Sequence, residues 1–179
     1  INCSYPVSKT WSKCNFSDIN AKIFLDNITP NLTSYAISSI LIAKEMIKKK
    51  HGNIINIGSI YGSVAQDLTI YKGVKNYKEN AVYPIIKSGL IGLTKQMASY
   101  YGGYNIRVNL ISPGGIYGHN KNDGKKQNKK FLKNYEKRVP MRRLGYASEI
   151  AKAVNFLATN ESSYVTGTNL LVDGGWTVI

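Results

Sequence analysis

Three short apolar runs, each followed by small or turn-forming residues, place the strongest constraint on the fold of this chain. The runs span residues 53–57, 105–111 and 170–172, and they are followed by Gly58-Ser59, Pro113-Gly114 and Gly174-Gly175. Their length and branched aliphatic content are typical of buried strands in a parallel sheet. Because helical patterns separate the runs, the sequence predicts an α/β fold with a parallel sheet. Ligands bind beyond the carboxyl ends of such strands, so the three turns indicate where a site would lie.

Two amphipathic helices are predicted in this alternation, over residues 31–50 and 81–98. The apolar stripe of the first consists of Leu32, Tyr35, Ala36, Ile40, Ala43, Met46 and Ile47. The stripe of the second consists of Ile86, Leu90, Leu93 and Met97. Both stripes follow the period of an α-helix. Asn31 stands at the predicted start of the first helix, where asparagine is a common N-cap.

Tyr83 and Lys87 form a candidate acid–base pair near the start of the second helix. Residues four apart lie on one helical face. An ammonium nearby lowers the pKa of a phenol, and a proton donor works best when its pKa is near the working pH. The spacing Tyr-x-x-x-Lys occurs four times, for example at Tyr71 and Lys75, so spacing alone does not single out a site. Only the Tyr83 pair opens a long amphipathic helix.

Length and composition indicate one globular domain. The chain has 179 residues, of which 43% are hydrophobic, enough for a buried core. No apolar run reaches the ~20 residues of a membrane span, and residues 1–11 do not have the pattern of a signal peptide. Cys3 and Cys14 match no zinc spacing, so we expect free thiols and a cytoplasmic location.

The net charge of +14 is compatible with anionic partners, including nucleic acid. Many of the basic residues lie in residues 119–138, predicted as a mobile loop or short solvated helices. The sequence contains no recognised nucleic-acid module, and aromatic residues for stacking on bases are not interleaved with the lysines. Nucleic-acid binding is therefore disfavoured, and compositional bias explains the charge equally well.

In the order of its motifs, the chain resembles the short-chain dehydrogenase/reductase family. The resemblance rests on the strand ending at Ser59, on Tyr83 and Lys87, on residues 106–109 leading to Pro113-Gly114, and on residues 166–167 and 172–175. It implies a Rossmann-like, doubly wound parallel sheet and an NAD- or NADP-dependent oxidoreductase. The substrate would be a small molecule with a carbonyl or an alcohol.

The resemblance also implies roles for individual residues. Tyr83 would be the general acid/base, Lys87 would lower its pKa and hold the nicotinamide ribose, and Ser59 would bind the substrate oxygen. Asn31 would hold a water in a proton relay, an alternative to its role as an N-cap. The implied cofactor contacts come from Asn2, Tyr83, Lys87, Pro113, Gly114 and Ile116.

Further expectations concern assembly and loops. Helices 31–50 and 83–101 match those that pair between subunits of the family, which implies a homodimer or homotetramer. Residues 60–80 contain more residues than is usual before the catalytic tyrosine and are predicted to be an inserted loop. Residues 119–138 occupy the position of the family's substrate loop.

Residues 1–179 are predicted to form a single, partial domain. Its main departure from the family lies at the start of the sequence. The strands and the glycine-rich turn that hold the cofactor pyrophosphate have no counterpart in this sequence. We expect this chain alone to bind NAD(H) or NADP(H) weakly or not at all, and submicromolar binding by calorimetry would contradict that. The alternative function is a non-catalytic fragment that acts only through subunit association.

Overall fold

The computed structural model describes residues 1–75, 77–118 and 127–179. These residues form four α-helices and three β-strands. In chain order they are α1 (Ala21–Lys49), β1 (Gly52–Ile57), α2 (Val82–Tyr101), β2 (Ile106–Pro113), α3 (Lys129–Arg138), α4 (Ala147–Ala158) and β3 (Asn169–Val172).

The strands form one parallel sheet in the order β1-β2-β3. Gly52 pairs with Ile106 at one end of the β1–β2 ladder, and Leu110 pairs with Asn169 where β3 begins. Each strand begins and ends within about two residues of its predicted bounds. The prediction of an α/β fold with a parallel sheet is confirmed, and all three predicted turns follow the carboxyl ends of the strands.

Helices cover both faces of the sheet. On one face, Ala43 of α1 and Met97 of α2 pack with Ile54 of β1 and Val108 of β2. On the other face, Leu157 of α4 packs with Ile55 and Ile111. Because successive side chains of a strand point to opposite faces, β1 contributes Ile54 to one layer and Ile55 to the other. This burial on both sides explains the continuous apolar character of the strand.

Helix α1 begins ten residues earlier than predicted. Its N-cap is Asn20, whose side chain accepts a hydrogen bond from the Ile23 amide at 3.0 Å. Pro30 lies inside the helix, although proline lacks the amide hydrogen that an interior position normally uses. The prediction that Asn31 caps the helix is therefore wrong, because the helix runs through Pro30 and Asn31.

The described residues of the segment 60–80 contain two short 3-10 turns, Ile60–Gly62 and Leu68–Tyr71, within otherwise irregular backbone. The segment is anchored rather than loose, because Ile60 and Ile70 are buried. They pack with Tyr135 of α3 in a shared cluster. Residues 119–126 of the predicted basic loop lie outside the described residues, whereas most of the remainder forms α3.

The two cysteines are free thiols, with Cys3 exposed and Cys14 buried. None of the helices in the described part of the chain combines the length and apolar character needed to cross a bilayer. Within the same ranges, no group of three or more histidine, cysteine, aspartate or glutamate side chains could hold a metal ion.

Candidate active site

Ser59 lies in the turn directly after β1, at the carboxyl edge of the sheet. Its side chain is buried, and its hydroxyl oxygen accepts a hydrogen bond from the Tyr61 amide at 3.2 Å. The turn rests on α2, since the Ser88 hydroxyl donates to the Gly62 carbonyl at 2.9 Å. This contact joins the serine turn to the helical turn that carries Lys87.

Tyr83 lies in the first turn of α2, and Asn80 determines where that turn begins. The Asn80 side-chain oxygen accepts from the amides of Val82 and Tyr83, at 3.0 and 2.8 Å. It thus satisfies two amides that have no partner within the helix. Asn80 was not among the predicted site residues, although an asparagine just before a helical pattern is a recognisable start signal.

Lys87 is buried one helical turn beyond Tyr83, with 4% of its surface exposed. Its ammonium donates to the Ile57 carbonyl at 3.0 Å, and the Tyr35 hydroxyl donates to the same carbonyl at 3.1 Å. The ammonium also lies 5.7 Å from the centre of the Tyr83 ring. The end of β1 therefore fixes the position of the lysine beneath the tyrosine.

The structure thus brings Ser59, Tyr83 and Lys87 together at the end of β1. Burial raises the pKa of Tyr83, and the neighbouring Ser59 hydroxyl opposes that shift. Burial lowers the pKa of Lys87 to about 8. The predicted lowering of the tyrosine pKa does not occur in this state, because desolvation of the phenolate has the larger effect and the hydrogen bond with Ser59 offsets only part of it.

Aromatic rings surround the candidate tyrosine. Tyr5, Trp11 and Tyr61 meet the Tyr83 ring edge to face, at centroid distances of 5.8, 6.4 and 6.4 Å. Tyr5 also lies over the Lys87 ammonium at 5.7 Å. The N-terminal segment therefore forms one wall of the site, a contribution that periodicity could not indicate.

Asn31 is buried inside α1 rather than at its start. Its amide group donates to the carbonyls of Pro6 and Asn27, at 3.0 and 2.9 Å. Its side-chain oxygen is buried and has no hydrogen-bond partner among the described residues. A buried acceptor of this kind suits a bound water, so the water-relay role stays a prediction.

The other residues predicted to contact the cofactor lie beside β1 or at the carboxyl end of β2. Asn2 bridges to Asn56 beside β1. Pro113 ends β2, and the Gly114 amide donates to the Val172 carbonyl at 3.0 Å. Ile116 follows in a bridge to Gly145. A β-carbon on Gly114 would lie 2.8 Å from the Asp173 α-carbon, so close packing against the turn after β3 already requires this glycine.

Comparison with known proteins decides the family. A family model described as Enoyl-(Acyl carrier protein) reductase matches residues 4–177. The chain belongs to the short-chain dehydrogenase/reductase family. It is 31% identical to Post-translational flagellin modification protein A of Campylobacter coli, over 98% of this chain and 66% of that protein. It is 35% identical to the 3-oxoacyl-(acyl-carrier-protein) reductase FabG of Buchnera aphidicola subsp. Schizaphis graminum, over 96% of this chain and 67% of that protein.

Solved structures of short-chain dehydrogenases support the same family assignment. A short-chain dehydrogenase from Leptospira borgpetersenii with bound NAD+ superposes with a TM-score of 0.79 at 37% identity, over 91% of this chain and 59% of that one. Other similar structures were solved with NADH or with NADP. The chain spans between about half and two thirds of the length of the curated relatives it matches.

Proposed function

We propose that this chain carries the catalytic residues of an NAD- or NADP-dependent oxidoreductase that interconverts a carbonyl and an alcohol. The observation that supports this most directly is the convergence of Ser59, Tyr83 and Lys87 at the carboxyl end of β1. The resemblance of the motifs and the cofactors of the solved relatives point to the same chemistry.

Tyr83 is the proton donor in the reducing direction. The carbonyl oxygen of the substrate gains negative charge as its carbon is reduced, and the phenol gives its proton to that oxygen. The Ser59 hydroxyl donates a hydrogen bond to the same oxygen and stabilises the developing charge. In the oxidising direction the Tyr83 phenolate removes the proton of the alcohol. Because the pKa of Tyr83 is raised, the phenolate is populated at higher pH, so oxidation is favoured there.

Lys87 fits the ribose of a nicotinamide cofactor. An ammonium has three donor hydrogens, and within the described residues Lys87 donates one of them to the Ile57 carbonyl. The remaining donors are available for ribose hydroxyls, and the positive charge stabilises the Tyr83 phenolate. When bound, the cofactor supplies or accepts the hydride; the protein positions the reacting groups.

Replacing Tyr83 tests this function. The natural gene product that contains this chain is assayed with NADH and NADPH against a panel of ketones, by loss of reduced-nicotinamide absorbance. Tyr83→Phe should lower kcat by about 10²–10⁴-fold, the usual contribution of a positioned acid. Tyr104→Phe, at an exposed position outside the site, is the matched control. Unchanged turnover in Tyr83→Phe would contradict the proposed role of Tyr83 as the proton donor.

We also propose that the protein forms a homodimer or homotetramer through α1 and α2. Helix α1 exposes large apolar side chains, with Ile37 and Leu41 about half exposed and one helical turn apart. Light scattering coupled to gel filtration tests this directly. Leu41→Lys should shift the mass toward the monomer, and a wild-type protein that is monomeric at micromolar concentration would contradict the proposal.

A further inference from the structure

Lys87 is a buried cation without a carboxylate partner among the described residues. Its side chain is 4% exposed, and none of the ion pairs within residues 1–75, 77–118 and 127–179 includes it. A buried charge is costly unless neighbouring groups compensate for it. The hydrogen bond to the Ile57 carbonyl is made to a neutral acceptor, so other groups must contribute to stabilising the charge.

Three aromatic rings lie against the Lys87 ammonium. The ring centres of Tyr35, Tyr5 and Tyr83 lie 5.4, 5.7 and 5.7 Å from its nitrogen. A cation within about 6 Å of a ring centre, over the ring face, is attracted by the negative potential of that face. The rings come from α1, the N-terminal segment and α2, so the fold itself assembles an aromatic cage of Tyr5, Tyr35 and Tyr83.

Tyr35 is held in this cage by the same atom that anchors the lysine. The side chain is 1% exposed, and its hydroxyl donates to the Ile57 carbonyl at 3.1 Å. A carbonyl oxygen has two lone pairs, and it accepts here from Tyr35 and from Lys87. The ring and the ammonium are therefore fixed to one point at the end of β1.

The charge of Lys87 is lost only slightly above neutral pH. Burial lowers the pKa of Lys87 to about 8, and Cys3 opposes that shift. Burial raises the pKa of Tyr5 and of Tyr35, so both remain neutral phenols while the lysine titrates. Because cation–π attraction acts only on the protonated lysine, the rings favour the charged form.

We propose that Tyr5 and Tyr35 are positioning residues that keep Lys87 charged and oriented toward the ribose of the nicotinamide cofactor. The inference rests on the proposed oxidoreductase function, in which the ammonium binds the ribose hydroxyls and stabilises the Tyr83 phenolate. An aromatic face attracts the charge without accepting a conventional hydrogen bond, whereas a carboxylate would occupy N–H donors and neutralise the charge. The cage thus stabilises the cation and leaves its donors for the cofactor.

The pH dependence of stability tests the effect of the rings on the charge. Tyr35→Leu and Tyr35→Phe of the natural gene product are compared without cofactor by urea titration. The measurements are made at about pH 6 and about pH 9.5, on either side of the Lys87 pKa of about 8. Phenylalanine keeps a ring face over the ammonium, and leucine does not. The ratio of the unfolding constant of the leucine variant to that of the phenylalanine variant should be about tenfold larger at the lower pH. At the higher pH the folded protein contains a neutral lysine, which has no cation–π attraction to lose.

Kinetics of ketone reduction test the consequence for the reaction. Tyr35→Leu should raise the KM of the reduced cofactor and lower kcat. The alkaline fall of kcat/KM should begin about one pH unit lower than in the wild type. Tyr35→Phe should keep the wild-type pH profile. Tyr5→Leu changes a ring that is 44% exposed, with less effect on folding, and should shift the profile in the same direction by less.

Tyr101→Leu is the matched control for lost packing, because Tyr101 is also buried but ends α2. Tyr35 itself packs with Leu90 and Leu110, so a loss of stability alone does not support the inference. The stability loss of Tyr101→Leu should be the same at both pH values. In a Lys87→Met background, Tyr35→Leu and Tyr35→Phe should differ equally at both pH values.

A ratio of unfolding constants that does not change with pH would overturn the inference. Wild-type pH profiles in both Tyr35→Leu and Tyr5→Leu would also overturn it, as would a shifted profile in Tyr35→Phe. If Tyr35→Leu does not fold, Tyr5→Leu and Tyr5→Phe are compared in the same way. Absence of turnover in the wild type would contradict the proposed function instead, and the stability measurements would still decide whether the rings hold the charge.

Discussion

The backbone of Gly62 lies directly against the backbone of Lys87. A β-carbon added at Gly62 would stand 2.7 Å from the Lys87 carbonyl oxygen, closer than real contacts allow. The absence of a side chain at Gly62 therefore lets the Ser59 turn approach the helix that carries Tyr83 and Lys87.

Gly62→Ala should push the serine turn away from α2. We expect a loss of about 1–3 kcal/mol in the free energy of unfolding, the usual cost of overpacking, with lower kcat in the carbonyl reduction assay. Gly92→Ala is the matched control, because a β-carbon there meets nothing within 4 Å. It lies in the interior of α2, so alanine should stabilise the protein by about 0.5–1 kcal/mol. Equal stabilities for the two variants in urea titrations would contradict the close approach.

Asn80→Ala should loosen the first turn of the catalytic helix. The variant leaves the amides of Val82 and Tyr83 without their side-chain acceptor, at an expected cost of about 1 kcal/mol. Asn80→Asp retains an acceptor oxygen and should restore most of the stability. If aspartate and alanine behave alike in thermal unfolding, Asn80 does not cap the helix in solution.

The stability of the cofactor-free chain should depend on the ionisation of Lys87. Burial lowers the pKa of Lys87 from its ordinary 10.5 to about 8, so between these values the unfolded chain binds more protons than the folded one. The free energy of unfolding therefore rises with pH across this window, by up to about 3 kcal/mol from this group. Lys87→Met removes the contribution, so the pH curves of variant and wild type should converge as the pH rises from about 8 to about 10.5. Parallel curves would show that the ammonium is not buried.

Asn169 should connect the turn that follows Ser59 to β2. The Ser112 hydroxyl donates to the Asn169 side-chain oxygen at 2.6 Å, and the Asn169 amide donates to the Ser63 hydroxyl at 3.0 Å. Asn169→Ala leaves the buried Ser112 hydroxyl without this acceptor, at a cost of about 1–3 kcal/mol. Asn155→Ala, on the exposed surface of α4, should cost little. Similar losses in both variants would argue against the connection.

The sequence allowed the strands, α2 and the pair Tyr83 and Lys87 to be predicted because their signals are local. Apolar runs, turn residues and a four-residue spacing can be read directly along the chain. The start of α1 could not be predicted in this way. A proline is typical of the first turn of a helix, but Pro30 lies inside α1, whose N-cap is Asn20, ten residues upstream.

Other parts of the candidate site depend on contacts between distant residues. The Asn31 amide group binds the Pro6 carbonyl, and the ring of Phe131 stacks on Tyr71; neither pairing leaves a periodic pattern. The direction of the Tyr83 pKa shift was missed for a related reason. Spacing placed the ammonium near the phenol, but burial of the phenol arises only once the N-terminal segment and α2 pack together.

The stacked rings of Tyr71, Tyr77 and Phe131 connect residues 60–80 to α3. The stack is built from two segments far apart in sequence, and neither of them contains Ser59, Tyr83 or Lys87. Evolution or an engineer could therefore exchange the stack without replacing the candidate catalytic residues. The exchange would have to involve both segments together, because each ring of the stack supports its neighbour.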